Sequence, residues 1–277
     1  MVRLTTLLAA ISALAVAATV VAAATASHAH VQGRYAAVPV APRPAIVATL
    51  RPKSRLAAHP ARRRSHSKSH RHSHHPAKNE VLTVRPGRTV ALRSSPDGAV
   101  AVQLGDRTEF GSQTTLTVAK RRGAWVGVTT TALPNGSLGW LRPSSAEVSR
   151  AAVDVELVVT LSRRSIALRK SGRTIRQIPV TIGRPGSETP TGRFAVTDKL
   201  AGGTFGAYYG CCILALSGHQ SHLPPGWKGG DRLAIHGTDS PGTIGRPASA
   251  GCLRAADSDL HVLVDKVPLG TPVVIRH

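Results

Sequence analysis

The residues with the most chemistry to offer stand in two short runs near the C-terminus, Leu233-Ala234-Ile235-His236-Gly237-Thr238 and Ser249-Ala250-Gly251-Cys252-Leu253-Arg254. An imidazole at the end of an apolar strand, brought beside a cysteine, gives an activated sulfur nucleophile. A free thiol of pKa about 8.5 is mostly protonated at neutral pH, and a neighbouring imidazole lowers that value and takes the proton. Gly251 lets the backbone approach a ligand closely. Inward-pointing amides of Gly251 and Cys252 would stabilise an oxyanion during acyl transfer. Arg254 is placed to meet a carboxylate, and Ser249 in the same run is a second candidate substrate contact.

The other reactive side chains lack such flanks. His219 and His222 read as local loop residues. Cys211-Cys212 sits in Gly210-Cys211-Cys212-Ile213-Leu214 and reads as two inert thiols in an apolar strand, a silencing bridge from either to Cys252 being the other reading. The chain has no spaced His, Cys and carboxylate set, no P-loop and no dinucleotide fingerprint, so neither a metal nor an organic cofactor is expected.

The elements that must position the two runs are mostly strands. From Val153 the chain alternates with a period of two residues: Val155, Leu157, Val159 and Leu161 point one way, and Glu156, Val158 and Thr160 the other. With the turns at Ser162-Arg163-Arg164 and Lys170-Ser171-Gly172 this predicts a meander of half-buried antiparallel strands. One helix is predicted from an N-cap at Asp257 or Ser258 through Leu260, Leu263, Val264 and Val267, stopped by Pro268 and Gly270. A last strand follows over Thr271 to Ile275. The domain is thus mainly β with at least one packed helix.

Upstream, residues 80–150 hold short β-like runs divided by turn residues: Thr89–Leu92, Val100–Val102, Thr114–Val118 and Trp125–Val128. They predict a small antiparallel barrel with Trp125 and Trp140 in its core. Through Leu92-Arg93-Ser94-Ser95-Pro96, the Trp125-Val126-Gly127-Val128 run and the closing Gly139-Trp140, this segment resembles a bacterial SH3-like domain. The resemblance implies a module that binds cell-wall peptides or acts as a spacer.

Residues 153–277 carry a second resemblance. The runs Ile182-Gly183-Arg184-Pro185-Gly186, Thr189-Pro190-Thr191-Gly192-Arg193-Phe194, His236-Gly237, Ser249 through Arg254 and Pro268 through Val273 resemble the catalytic domain of the L,D-transpeptidases. The resemblance implies a β-sandwich fold and a cysteine enzyme acting on peptidoglycan. That enzyme attacks the carbonyl between the third and fourth residues of a tetrapeptide stem, releases the terminal D-amino acid and passes the acyl group to an amine. By residue match Cys252 is then the nucleophile, His236 its base and Gly237 the backbone carbonyl that orients the imidazole. The match departs at Ala250, where the family commonly has His.

Charge and the N-terminus place this chemistry outside the cytoplasm. The chain of 277 residues has 36 Lys and Arg against 14 Asp and Glu, a net charge of +22. Residues 1–79 hold 12 of those basic residues and no acidic one. After Arg3 an uncharged run rich in Ala, Leu and Val extends from Leu4 to Ala26, so residues 1–29 read as a secretory signal peptide or a retained membrane anchor. Residues 30–79, with the tract Arg62-Arg63-Arg64-Ser65-His66, read as a disordered basic linker suited to anionic wall polymers. Aromatic side chains do not interleave with Lys or Arg, which excludes a stacking platform and sequence-specific nucleic-acid binding. The expectation is an exported L,D-transpeptidase. Its rivals are an L,D-carboxypeptidase that trims stems by hydrolysis and a noncatalytic wall-binding protein.

Overall fold

The structure, a computed structural model, describes residues 79–227 and 229–277. The expected signal or anchor segment 1–29 and nearly all of the linker 30–79 lie outside the described residues. The described residues belong to one unit, Ser69–His277.

The first seven strands are β1 (Asn79–Val84), β2 (Val90–Arg93), β3 (Val100–Leu104), β4 (Thr115–Arg122), β5 (Trp125–Val128), β6 (Gly139–Leu141) and β7 (Val148–Val153). They form one sheet of order β3-β2-β6-β5-β4-β1-β7, antiparallel at every pairing. Leu82, Val84, Leu92, Leu116, Val126 and Val128 fill its core, and burial of such aliphatic surface is its main stabilising term. Trp125 and Trp140 are both buried, as their core assignment requires. β1 and β7 were not predicted as strands. They pair with each other along their full length, from Asn79 opposite Val153 to Val84 opposite Val148.

The remaining strands are β8 (Val155–Thr160), β9 (Ser165–Lys170), β10 (Arg173–Pro179), β11 (Ile182–Gly183), β12 (Gly192–Ala201), β13 (Cys212–His219), β14 (Arg232–His236), β15 (Pro247–Ser249), β16 (Leu253–Arg254) and β17 (Pro272–Arg276). Eight of them make a sheet of order β10-β9-β8-β17-β12-β13-β14-β16, and β11 pairs with β15 separately. The predicted alternation holds, with Val155, Leu157 and Val159 buried on one face of β8. The predicted antiparallel meander holds over β8, β9 and β10, and β12, β13 and β14 pair antiparallel as well. β17 lies parallel to β8, β16 parallel to β14 and β15 parallel to β11. The sheet is mixed because its last strands return from distant loops instead of hairpins, and a period of two is the same in either direction.

The helix α1 (Asp257–Lys266) packs Leu260 and Leu263 into the core of this second sheet. Its N-cap is Ala256, with no side-chain cap, instead of the predicted Asp257 or Ser258. The Asp257 carboxylate is used elsewhere, accepting the Cys211 amide at 3.1 Å.

The two sheets touch through polar contacts. Thr117 Oγ1 donates to the Gly270 carbonyl at 2.6 Å, Thr108 bonds buried Asp198, and Arg232 Nη2 reaches Glu109 at 2.6 Å. His219, expected in a loop, ends β13 and joins this contact: its amide donates to Asn135 Oδ1 and its Nε2 faces the Thr131 carbonyl at 2.7 Å. His222 does lie in an exposed loop.

Candidate active site

His236 is the last residue of β14, and Cys252 immediately precedes β16. The parallel register sets Ile235 against Leu253 and His236 against Arg254, which brings the imidazole and the thiol to one edge of the sheet. His236 is fully buried. Its Nδ1 lies 2.6 Å from the Gly237 carbonyl. That carbonyl can only accept, so Nδ1 carries the proton and Nε2 is left as a bare acceptor. Nε2 has no partner among the described residues.

The rings of Tyr208 and Tyr209 cover the imidazole with centroids 5.5 and 4.9 Å away. Burial holds its pKa down to about 4, with the Arg254 guanidinium pushing the same way against the Gly237 hydrogen bond. Burial also raises the Tyr208 and Tyr209 hydroxyls.

Cys252 is the one free cysteine. Its Sγ points to the Arg232 carbonyl at 3.8 Å instead of to His236. Burial pushes the thiol up to about 11, further than the Ala234 amide and Arg254 pull it down. At neutral pH the site therefore rests as a protonated thiol beside a neutral imidazole whose Nε2 lone pair is open.

The turn that presents Cys252 is held from three sides. Gly251 has φ +124°, a conformation that favours glycine, and a Cβ there would collide with the Gln220 side-chain amide. Gln220 Nε2 donates to the carbonyls of Ser187, Glu188 and Ala250 at 3.2, 2.9 and 3.0 Å. Thr189, from the Thr-Pro-Thr-Gly run, donates to the Gly251 carbonyl at 2.7 Å and accepts the Gly183 amide at 2.8 Å.

Two residues of the expected site are engaged within this turn. Ser249 is fully buried; its hydroxyl donates to the Cys252 carbonyl at 2.6 Å and accepts the Gly251 amide at 3.1 Å, and so braces the turn. The Gly251 amide is thereby occupied in this conformation.

Arg254 is 7% exposed. Nη2 donates to the Ala248 carbonyl at 3.1 Å, the guanidinium lies 4.9 Å over the Tyr208 ring, and buried Nε is without a partner. No carboxylate of the protein pairs with it among the described residues.

Cys211 and Cys212 are joined in a disulfide, which corrects the expectation of two inert thiols. Cys211 lies in the turn before β13. Successive residues within a strand would point to opposite faces, and the turn removes that constraint. Cys211, Cys212 and His261 form the one group of three potential metal-ligand side chains among the described residues, and the disulfide occupies both sulfurs.

Sequence reasoning missed Tyr208, Tyr209 and Gln220. The tyrosines had a signal, being two of the chain's three, side by side. Gln220 had none, because its role comes from the fold alone. With Leu223 and Trp227 these residues line a cavity of about 40 Å³ against Cys252, adjoining a second of about 320 Å³ lined by Phe110, Leu200 and Phe205.

Residues 154–275 match the model of the YkuD family, the L,D-transpeptidase catalytic domain. The putative L,D-transpeptidase YkuD of Bacillus subtilis is 31% identical over 126 residues, which covers 45% of this chain and 67% of that protein. The probable L,D-transpeptidase ErfK/SrfK of Salmonella typhimurium is 29% identical over 133 residues, 43% of each chain. Among solved structures, an L,D-transpeptidase from Enterococcus faecium aligns with TM-score 0.34 and 24% identity over 44% of this chain and 50% of its own. One from Mycobacterium smegmatis aligns with TM-score 0.37 and 16% identity over 72% of this chain and 99% of its own. The chain thus spans about half of the Enterococcus chain and under half of the Salmonella protein. On the Bacillus relative and the family match over 154–275, this chain belongs to the L,D-transpeptidase family.

Proposed function

We propose that the protein is an exported L,D-transpeptidase that forms a thioester between Cys252 and a peptidoglycan tetrapeptide stem and transfers the acyl group to an acceptor amine. The observation that carries this reading is the state of His236: Nδ1–H fixed on the Gly237 carbonyl and Nε2 open at the sheet edge that holds the free thiol.

As the stem carbonyl approaches, the Cys252 thiol turns from the Arg232 carbonyl and gives its proton to His236 Nε2. The carbon–sulfur bond forms, and the oxyanion is met by the Cys252 amide. The imidazolium returns the proton to the departing D-amino acid as the amide bond breaks. The acceptor amine then attacks the thioester, His236 takes its proton, and the thiolate leaves. Removing solvent raised the thiol and lowered the imidazole, so the ion pair forms only when substrate supplies the compensating charge. Arg254, with its buried Nε unpaired, binds a substrate carboxylate. The Tyr208 and Tyr209 rings shield the thioester from water.

The flanking segments fit an enzyme working at the wall. Residues 1–29 act as signal or anchor, 30–79 as a basic tether to anionic polymers, and 80–150 as an SH3-like module. The uncharged run, the excess of basic residues and the short antiparallel strands with their Gly-Trp closure support these roles.

The test is intact-mass spectrometry of the full chain with a tetrapeptide stem and an acceptor amine, beside Cys252→Ala. The reading expects an acyl adduct on Cys252 and cross-linked product, both lost in the variant. An adduct that yields only shortened stems would make the enzyme a carboxypeptidase. Absence of adduct and product in the folded wild-type protein would overturn the catalytic reading.

A further inference from the structure

The acylation chemistry leaves the Cys211–Cys212 disulfide unused, yet its surroundings hold the parts of an exchange centre. Cys211 is half-buried and open to an incoming thiolate, whereas Cys212 is 7% exposed. His261, exposed on α1, sets Nδ1 3.7 Å from Cys212 Sγ. The accessible sulfur is thus the one to be attacked, and the buried sulfur, as leaving group, has beside it an imidazole nitrogen that donates in its Nδ1–H tautomer. Departure of the leaving sulfur governs the rate of thiol–disulfide exchange as much as access does.

The pair is also wired to the catalytic imidazole. The Cys212 carbonyl accepts the Gly237 amide at 3.0 Å, and the Gly237 carbonyl accepts His236 Nδ1–H at 2.6 Å. Gly210, just before the pair, is pressed against Gly237 so closely that neither has room for a Cβ. The turn Ala207–Tyr209, which lays both tyrosine rings over His236, closes through the Gly210 amide on the Ala207 carbonyl at 2.9 Å.

We propose that Cys211–Cys212, with His261, is a second sulfur centre that exchanges with an external dithiol, and that its state sets the reactivity of Cys252 through Gly237 and the tyrosine cover. A thiolate of the dithiol attacks Cys211 Sγ, the disulfide bond breaks, and the electron pair goes to Cys212 Sγ, which takes the proton of His261 Nδ1, the imidazole regaining a proton from solvent. The second thiol of the dithiol loses its proton to solvent, attacks its own sulfur in the mixed disulfide and expels the Cys211 thiolate, which is protonated from solvent. The dithiol is oxidised to a disulfide, and the protein pair is reduced to two thiols. None of this depends on the acyl-transfer reading, since thiol counting reports it directly.

The experiment uses the full chain purified without reductant, held folded with or without dithiothreitol, then labelled with iodoacetamide under denaturing conditions and weighed. One label is expected before reduction and three after. His261→Ala should reach the same final count about threefold or more slowly. In the folded protein, labelling of Cys252 should differ about threefold or more between the two states. The double variant Cys211→Ser/Cys212→Ser should show no response of Cys252 to dithiothreitol. Three labels before reduction, reduction only on unfolding, an unchanged rate in His261→Ala, or one Cys252 rate in both states would each overturn the proposal.

Discussion

The two sheets spend buried volume differently. The first buries an aliphatic cluster from Leu82 to Val148, and its few buried polar side chains are threonines. The second buries a larger aliphatic core and, at one edge, His236, Arg254, Ser249, Gln220 and Thr189. Burying a polar group costs free energy unless it is hydrogen-bonded. Most of that edge is satisfied internally, His236 Nε2 and Arg254 Nε being its unpaired atoms, whereas the unpaired buried atoms beside the first sheet, Trp125 Nε1 and Thr129 Oγ1, belong to residues with no reactive partner nearby in the sequence. The contrast teaches that the first sheet is built for stability and the edge of the second for chemistry.

The largest effect that sharpens this contrast is at His236. Replacing it in His236→Gln should lower turnover by about 10²–10⁴-fold, measured as acyl adduct formed per second. The same residue also makes stability depend on pH. Its folded value of about 4 lies below the ordinary 6.5, so the unfolded state takes up the proton first as the solution is acidified. Stability is fully present above about pH 6.5 and is lost as pH falls toward 4, by about 3 kcal/mol. Denaturant melts at pH 7 and pH 4 should show that loss in the wild-type protein and a smaller one in His236→Gln.

Next in size is Leu82→Ala in the first sheet, which should cost about 2–5 kcal/mol of stability while leaving turnover of the folded fraction unchanged. A fall in turnover without a matching fall in stability would break the division between the sheets. Thr189→Val should have the smallest effect, about 1–3 kcal/mol, by leaving the Gly251 carbonyl and the Gly183 amide unpaired. It should slow acylation by more than its stability loss explains, because the Cys252 turn loses a brace.

Legibility followed the same division. The alternation in β8 and the spacing of Leu260 and Leu263 in α1 could be read because period and burial are local properties of the chain. The parallel pairing of β16 on β14 could not be read, although it is what joins Cys252 to His236. His236, Gly237 and Cys252 stood out by residue type and flanks. That Ser249 braces the turn could not be read, because a hydroxyl that braces a turn and one that binds a ligand look alike in a sequence. Gln220, Tyr208 and Tyr209 reach the site only by folding.

The central claim is that the site rests with neutral thiol and neutral imidazole, raised to about 11 and lowered to about 4 by burial. The most direct test is the rate of Cys252 labelling by iodoacetamide in the substrate-free protein between about pH 5 and 9, read by mass at the Cys252 peptide. The account predicts a rate that climbs about tenfold per pH unit with no plateau in that range. A flat, fast rate across it would mean a resting thiolate–imidazolium pair and would contradict the account.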